Sequence, residues 1–340
     1  MAGGIGSRFW PLSKNNYPKQ FLDVLGTGKS FIRATFERFL PAVPARHFLV
    51  VTNAAYKHLV LEQLPELQAD QVLCEPMRRN TAPCIAYAIW HILSQRPQAS
   101  VAVTPADHLV TNEREFQRVI EQGLDFVEAH RDALMTIGIR PSRPETGYGY
   151  IEVDSPDEGI TPVVSFKEKP DLETAKRFLT AGNYFWNSGI FLWSTDAIMA
   201  AFRQYLPDMA ILFDEGRDAF GTPHEQDFIN RQFERCENIS IDYGIMEKSK
   251  SRYTVAADFG WSDIGTWGSL YTHAAHDPQG NAVNGKTVIV DTQDSVVNIE
   301  PGYEAIVQGL DHCLVALRDH SLLVCRLDDE QQIKHWVERL

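Results

Sequence analysis

Short apolar, β-branched runs alternate with segments of helical period along most of this chain. The runs end in turn residues and cover residues 47–52, 100–104, 133–139 and 161–166. Between the second and third of these runs, residues 112–130 place apolar side chains on one helical face. This alternation predicts an α/β fold in which helices cover a mostly parallel sheet. Ligands of such folds bind beyond the carboxyl ends of the strands.

The pattern changes from Gly280 onward, where short strand-like runs recur at intervals of roughly ten residues or less. We therefore expect two domains, residues 1–279 and a small β-rich, β-helix-like domain at 280–340, joined at the turn-rich segment 277–285. An amphipathic helix is predicted over residues 329–340. Its apolar stripe consists of Ile333, Trp336, Val337 and Leu340.

The overall charge argues against several classes of partner. Lys plus Arg number 32 against 45 Asp plus Glu, a formal net charge of −13, which repels nucleic acid and anionic membranes at long range. No apolar run approaches the roughly 20 residues that span a bilayer. The first residues also lack the basic and apolar regions of a signal peptide, so we expect a cytoplasmic protein. The five cysteines form no C-x-x-C pair, which favours free thiols over disulfides or a zinc site.

The first twenty residues contain a candidate phosphate-binding loop. Closely spaced glycines let backbone N–H groups approach a polyphosphate, and nearby cations add positive charge. The candidate ligands are Gly3, Gly4, Gly6, Ser7, Arg8 and Lys19. No hydrophobic strand precedes this loop, although such loops follow one in α/β sheets. Either the sequence starts late, or the fold tolerates losing most of its first strand.

Two other phosphate-binding motifs fit the sequence less well. A dinucleotide fingerprint that starts at Gly4 would need glycine at Phe9. Residues 26–30, GTGKS, resemble the end of a P-loop, but Asp23 occupies the position of its first glycine. We therefore interpret this segment as a turn that leads into a helix, with Ser30 as the N-cap.

The segment GGIGSRFWPLS, with PKQF after it, resembles the signature of the sugar-1-phosphate nucleotidyltransferases, and within them of the bacterial mannose-1-phosphate guanylyltransferase (GDP-mannose pyrophosphorylase) group. Six further segments match in order, from Ala2 to about Trp267. They cover residues 75–83, 105–108, 146–151, 166–170, 186–191 and 261–265. The resemblance implies a Rossmann-like nucleotidyltransferase domain that transfers GMP from GTP to α-D-mannose 1-phosphate, giving GDP-mannose and pyrophosphate.

Two aspartates are candidate metal ligands. Asp107 and Asp263 each follow a strand-like segment, and two converging carboxylates suit Mg²⁺, with Mn²⁺ as an alternative, when phosphates complete the shell. A lone aspartate in a loop is more often a turn or cap residue, but both occupy positions that match the family. The neighbouring His108 is interpreted as an orienting or packing residue, because a phosphate nucleophile is already ionised.

The resemblance also implies roles at the sugar. Arg8 and Lys19 would bind the triphosphate and Lys169 the attacking phosphate, which makes them the catalytic residues together with the two aspartates. Glu168 pairs with Lys169 as an acceptor for sugar hydroxyls, although a solvated edge pair is the simpler interpretation. Asn187 is a candidate to fix a hydroxyl. Gly147 and Gly149 would allow close approach of the ring, or would only form turns.

The guanine base is assigned to residues near the start of a predicted helix at 83–94. Asn80 or Thr81 is the natural N-cap of this helix, and capping alone explains such residues in most proteins. The resemblance implies that this segment, with Glu75, lies against the base. A carboxylate or amide oxygen accepts hydrogen bonds from guanine N1 and N2, which adenine does not offer.

Two alternative functions stay open from the residues alone. Another hexose-1-phosphate nucleotidyltransferase, uridylyl or thymidylyl, would share the phosphate motifs and differ at base and sugar. A non-catalytic nucleotide-sugar-binding protein would keep the glycines and lose the metal carboxylates, both of which are present here. We also expect a homo-oligomer, a dimer. Longer members of the family carry a phosphomannose isomerase domain, an activity not expected of this chain.

Overall fold

A computed structural model describes residues 1–4, 6–156 and 159–340. The chain forms two compact units. The first comprises Met1–Gly3, Arg38–Pro105 and Val110–Trp261. The second comprises Gly4–Glu37, Ala106–Leu109 and Ser262–Leu340. None of the described helices is long and apolar enough to cross a membrane.

The regular elements are numbered here in chain order. The helices are α1 (Phe31–Phe39), α2 (Lys57–Gln63), α3 (Thr81–Gln95), α4 (Glu113–Ala129), α5 (Leu172–Ala181), α6 (Thr195–Tyr205), α7 (Pro207–Asp214), α8 (Glu225–Gln232), α9 (Trp267–His273) and α10 (Ile333–Val337). The strands are β1 (Val50–Asn53), β2 (Val72–Glu75), β3 (Ser100–Val103), β4 (Leu109–Val110), β5 (Leu134–Ile139), β6 (Tyr150–Val153), β7 (Ile160–Lys167), β8 (Tyr184–Ser194), β9 (Arg252–Ala257), β10 (Trp261–Ser262), β11 (Ala282–Asn284), β12 (Lys286–Val290), β13 (Val296–Ile299), β14 (Glu304–Gln308), β15 (Cys313–Arg318) and β16 (Ser321–Arg326).

The first unit is built on a six-stranded sheet of order β3-β8-β5-β9-β7-β6, with β1 and β2 paired beside it as a parallel ladder. Strands β5 and β9 are parallel, whereas the long strand β8 runs antiparallel to both β3 and β5. The α/β class is confirmed. The sheet is mixed, which refines the expectation of a mostly parallel one, because the period of a strand does not reveal its direction.

Helix α4 shows how the sequence pattern sets the packing of this unit. It spans nearly the predicted range, and Asn112 caps it by accepting from the N–H of Glu115 at 3.2 Å. On its apolar face, Phe116 and Ile120 are fully buried in one cluster with Met135 of β5 and Leu192 of β8. Burial of this stripe against the sheet holds the helix in place.

The second unit contains the predicted β-rich region. Strands β11, β13 and β15 form a parallel ladder, with β16 antiparallel at its edge, and β12 and β14 form a second parallel pair. Parallel neighbours joined by short turns are typical of a β-helix-like coil, as predicted. Most of the glycine-rich segment, from Gly4 onward, belongs to the same unit. Its Phe9 and Leu12 are buried with Trp267, Leu314 and Ala316.

The end of the chain departs from the predicted helix at 329–340. A 3₁₀ turn covers Leu327–Gln332, and α10 covers only Ile333–Val337. Of the predicted apolar stripe, Ile333 is fully buried, whereas Trp336 and Leu340 are 36% and 91% exposed. The helix is shorter than predicted because Ile333 is the one fully buried residue of the stripe, Val337 packs against the core only in part, and Trp336 and Leu340 stay largely outside it.

Candidate active site

Most of the residues predicted to bind phosphate line one cleft of about 240 Å³ in the second unit, which we call the phosphate cleft. The lining residues are Gly6, Ser7, Arg8, Lys19, Asp107, His108, Asp263 and Gly265. Gly4 belongs to the same unit and is exposed, and Gly3 lies in the first unit. The chain start is anchored in that first unit, where the Ala2 N–H donates to the Val51 carbonyl of β1 at 2.8 Å.

Lys19 is the central cation of this cleft. It lies in a short 3₁₀ turn and is only 3% exposed. Its Nζ donates to the Asp107 Oδ2 at 3.3 Å and to the Asp263 backbone carbonyl at 2.5 Å. The ammonium also lies 5.0 Å from the centre of the Phe31 ring. Lys19 is therefore fixed between the two aspartates that the sequence singled out.

Gly6 has a specific reason to be glycine. Its φ is +68°, and a Cβ there would come within 2.6 Å of the Lys19 Cβ. Both the left-handed backbone and the close approach exclude a side chain. The glycine-rich loop thus lies directly against Lys19, while Arg8 is exposed beside it.

Asp107 is kept ionised by its neighbours. Burial raises the pKa of its carboxyl, but the Lys19 ammonium and His108 outweigh burial, so the pKa lies below its usual value. The His108 Nε2 is 3.9 Å from the Asp107 Oδ1, which agrees with an orienting role for the imidazole. The Asp263 Oδ1 accepts from the N–H of Gly265 at 3.1 Å. Both carboxylates therefore have fixed orientations.

The oxygen atoms of Asp107 and Asp263 in this cleft suit a divalent cation that also binds phosphate. An ammonium group already contacts a carboxylate oxygen of Asp107 and a carbonyl oxygen of Asp263. No cluster of three or more His, Cys, Asp or Glu side chains able to hold a metal occurs among the described residues. Two carboxylates alone do not complete the shell of a hard cation, so ligand oxygens would have to do so.

Residues 26–30, which resemble the end of a P-loop, lie in a turn. The Asp23 carboxylate accepts from the N–H groups of Thr27 and Gly28 at 2.9 and 2.6 Å. Ser30 caps α1 by accepting from the N–H of Arg33 at 3.3 Å, and Lys29 pairs with Glu37. The interpretation as a capped turn is confirmed.

Three further predicted residues, Glu168, Lys169 and Asn187, gather in the first unit around a fourth residue, Asp242. We call these four residues the acidic cluster. The Lys169 Nζ is 2.9 Å from the Glu168 Oε1, and this hydrogen bond raises the pKa of the lysine. A Cβ on Gly149 would lie 2.5 Å from the Glu168 Oε2, so a side chain at this position would displace the carboxylate. Gly147 lies in a turn, where its N–H donates to Glu145.

Asn187 is held by hydrogen bonds on both ends of its amide. Its Oδ1 accepts from the Thr136 hydroxyl at 2.9 Å, and its Nδ2 donates to the Asp242 Oδ1 at 2.9 Å. Because both partners are fixed on regular elements or at their ends, the amide plane has one orientation. Such a preorganised amide can recognise a hydroxyl group without reordering.

Sequence reasoning missed Asp242. It begins a π-helical turn, Asp242–Met246, and such turns occur frequently at functional sites. Burial, with the nearby Glu168 carboxylate, raises the pKa of Asp242 to about 6. The sequence did contain one signal, because Asp242 is a charged residue close to three large apolar residues, Ile241, Ile245 and Met246.

Glu75 is the candidate base ligand with the most distinctive surroundings. It ends β2, is only 5% exposed, and its Oε1 has no hydrogen-bond partner within the described part of the chain. Burial raises its pKa to about 7, while the Cys84 thiol donates a hydrogen bond to it. A Cβ on Gly3 would lie 3.5 Å from the Glu75 Oε2, so the start of the glycine-rich segment passes beside this carboxyl group.

The side chains of Asn80 and Thr81 both accept hydrogen bonds from backbone N–H groups. Asn80, with φ of +68°, caps α3 by accepting from the N–H of Thr81 at 2.9 Å. The Thr81 hydroxyl accepts from the N–H of Ile241 at 2.9 Å. The capping interpretation is confirmed, and the helix start is joined to the segment that leads into Asp242.

Comparison with known proteins agrees with this arrangement. The nucleotidyl transferase family model matches residues 1–280. The whole chain is 35% identical over 352 residues to an Escherichia coli mannose-1-phosphate guanylyltransferase and covers 74% of it. It is 35% identical to a putative mannose-1-phosphate guanylyltransferase of Vibrio cholerae, covering 73% of that protein. A solved Thermus thermophilus structure, described as a mannose-1-phosphate geranyltransferase, has a TM-score of 0.88 at 29% identity, with 100% of this chain and 97% of that one covered.

Proposed function

The chain belongs to the nucleotidyl transferase family, and we propose that it transfers GMP from GTP to α-D-mannose 1-phosphate, releasing pyrophosphate and leaving GDP-mannose. The observation that carries this proposal is the cleft in which Lys19 contacts both Asp107 and Asp263 beside the glycine-rich loop. The guanylyltransferase activity named for the 35% identical relatives supports the choice of substrates.

At the triphosphate, catalysis rests on positioning and charge. The phosphate of the sugar attacks the α-phosphorus of GTP in line, so the protein has to orient two anions and stabilise charge on the leaving pyrophosphate. The backbone of Gly3, Gly4, Gly6 and Ser7 would approach the phosphates, and Lys19 and Arg8 would stabilise the developing charge. Asp107 and Asp263 would hold Mg²⁺, or Mn²⁺, which neutralises phosphate charge when bound.

At the sugar, the acidic cluster supplies donors and acceptors. Lys169 would bind the attacking phosphate, and Glu168 and Asn187 would bind ring hydroxyls, with Gly147 bordering the ring. The preset amide of Asn187 and the close fit of Gly149 against Glu168 support these roles, because they fix both acceptors before the sugar arrives.

At the base, Glu75 would accept hydrogen bonds from guanine N1 and N2. Its buried Oε1, which lacks a partner in the described part of the chain, supports this role. A buried acceptor without a donor is unfavourable until a ligand satisfies it. Asn80 and Thr81 would shape the same site through the backbone that they cap. We further propose that residues 1–279 are the catalytic domain, that residues 280–340 are a β-rich domain packed on the glycine-rich segment within the second unit, and that the enzyme acts in the cytoplasm as a homodimer.

Pyrophosphate release measured across GTP, ITP, ATP, UTP and dTTP, each with mannose or glucose 1-phosphate, tests this proposal. We expect GTP with mannose 1-phosphate to give the highest kcat/KM. ITP should be weaker, because hypoxanthine lacks the N2 amino group. Highest turnover with UTP or dTTP would instead indicate the uridylyl or thymidylyl alternative. Nucleotide-sugar binding without any turnover would indicate a non-catalytic binding protein.

A further inference from the structure

The region after residue 280 contacts the two loops that carry the phosphate cleft, all within the second unit. The first contact is made by Lys14, which lies between the glycine-rich segment and Lys19. Its Nζ is 3.4 Å from the Asp319 Oδ2 and donates to the Ser321 hydroxyl at 3.3 Å. The carbonyl of Arg318 accepts from the same ammonium at 3.5 Å. These acceptors lie in the turn between β15 and β16 or at the strand residues that flank it.

Lys14 is closely coupled to Lys19 along the chain. The backbone of Lys14 both donates to and accepts from Tyr17, at 3.2 and 3.1 Å. Pro18 follows, and Lys19 starts the 3₁₀ turn that places its ammonium between the aspartates. This turn, closed by two backbone hydrogen bonds, joins Lys14 to the 3₁₀ turn of Lys19. The β15–β16 turn therefore supports the cation of the cleft.

The second contact supports the other side of the cleft. The Glu330 Oε2 accepts from the backbone N–H of Gly268 at 2.6 Å. Gly268 lies in the first turn of α9, where N–H groups have no partner within the helix. This turn directly follows the loop of Asp263 and Gly265. Glu330 thus fixes the helix start to which the Asp263 loop is joined.

A common core underlies both contacts. Phe9 of the glycine-rich segment and Trp267 of α9 are fully buried, with ring centres 5.4 Å apart. The same cluster includes Leu314 of β15 and Ile333 of α10. The loops of the phosphate cleft therefore have the β-rich region as their packing partner.

We propose that Lys14 and Glu330 are positioning residues of the transferase reaction, through which the β15–β16 turn and the 3₁₀ turn at Leu327–Gln332 hold Lys19 and Asp263 in their reactive geometry. This inference rests on the proposed function. The inference extends the proposed function by assigning to residues after 280 a part in the catalytic step. Neither residue lines the phosphate cleft, so each would act through the loop that it holds.

Kinetics of Glu330 variants test one half of the inference. Glu330→Ala should lower kcat about tenfold, because one hydrogen bond to a carboxylate orients the loop, and KM for mannose 1-phosphate should stay unchanged. Glu330→Gln keeps an acceptor oxygen and should restore kcat to within a few-fold of wild type. Asp329→Ala removes an adjacent exposed carboxylate and is the matched control. If Glu330→Ala lowers only the unfolding temperature, with kcat intact in the folded enzyme, the contact is merely structural and the inference is wrong.

Lys14 variants test the other half. Lys14→Met should lower kcat and raise KM for GTP by several-fold, and Lys14→Arg should recover most of this loss, because an arginine also donates to the turn. Lys29→Met removes a lysine of the same unit that pairs with Glu37 at 2.6 Å, and it should behave as wild type. Equal kinetics of Lys14→Met and Lys29→Met would overturn the role of Lys14.

Hydrogen exchange separates this inference from the proposed function. Amides of residues 265–270 should exchange faster in Glu330→Ala than in Asp329→Ala, whichever nucleotide the enzyme uses. If the wild-type protein makes no GDP-mannose but the two variants still differ in exchange, the proposed substrates are wrong. The inference that Glu330 holds the Asp263 loop then stands. If the wild-type protein makes GDP-mannose and the variant matches wild type in kcat and exchange, the support is wrong and the function stands.

Discussion

Asp107 of the phosphate cleft and Asp242 of the acidic cluster are both partly buried aspartates, and their pKa values are shifted in opposite directions. Burial raises the pKa of both carboxyl groups. At Asp107 the Lys19 ammonium, 3.3 Å away, more than reverses this effect. At Asp242 the nearby Glu168 carboxylate adds to it, so its pKa reaches about 6.

This difference shows what each region is prepared to bind. In the phosphate cleft, the Lys19 ammonium is already paired with the Asp107 carboxylate before any ligand binds. This preset arrangement of charges suits a polyphosphate with its counter-cation. In the acidic cluster, two carboxylates share one lysine, and the Lys169 side chain is mostly exposed at 61%. A phosphate bound by Lys169 and hydroxyl groups that donate to the carboxylates would complete this second arrangement.

The largest effect is expected in the phosphate cleft. Asp107→Asn and Asp263→Asn change little volume but remove the charge that would bind the metal, so kcat should fall by about 10² to 10³. Pyrophosphate release in Mg²⁺ measures this. Asp258→Asn, at an exposed position five residues before Asp263, is the control and should retain full activity. Wild-type turnover by Asp263→Asn would contradict its assignment.

An intermediate effect is expected at the ion pair of the acidic cluster. Lys169→Ala removes the cation for the sugar phosphate, so KM should rise about tenfold for every hexose 1-phosphate alike. Glu168→Ala should instead change the ranking of mannose 1-phosphate against glucose 1-phosphate. Steady-state kinetics with both sugars separate the two outcomes. Lys176→Ala, which breaks a similar 2.9 Å pair with Glu173 on α5, is the control.

If Lys169→Ala leaves the kinetics with both sugar phosphates unchanged, then this lysine does not bind the attacking phosphate. The contrast between the two regions would then rest on the phosphate cleft alone.

The smallest effect concerns pH and stability. The pKa of Asp242 is raised to about 6, so the folded protein holds this proton more tightly than the unfolded chain does. The protonated carboxyl group therefore favours folding, and the wild-type protein loses this stabilisation as pH rises through 6. Asp242→Asn keeps the acceptor for Asn187 and does not ionise. Its free energy of unfolding, relative to wild type, should therefore increase by about 1 kcal/mol between pH 5 and pH 7.

Urea unfolding at the two pH values measures this change, with the exposed Asp258→Asn as reference. A difference between Asp242→Asn and wild type that stays constant with pH would show that Asp242 is not destabilised by its neighbours.

Local patterns account for the parts of the fold that were predicted well. The stripe of α4, the cap at Asn80 and the turn at Asp23 depend on residues close in sequence, so spacing alone predicted them. The direction of β8 depends instead on strands far away in the chain. The exposure of Trp336 likewise depends on where the core ends, which its helical spacing does not show.

The same division applies to the candidate sites. By itself, the sequence determined the family, the glycine-rich loop and the identity of most proposed ligands, because short motifs record the chemistry of the groups they bind. Only the tertiary structure placed Lys19 between Asp107 and Asp263, added Asp242 to the acidic cluster and joined Glu330 to the start of α9. Each of these contacts joins residues 55 or more positions apart, and sequence spacing carries no information about such distances.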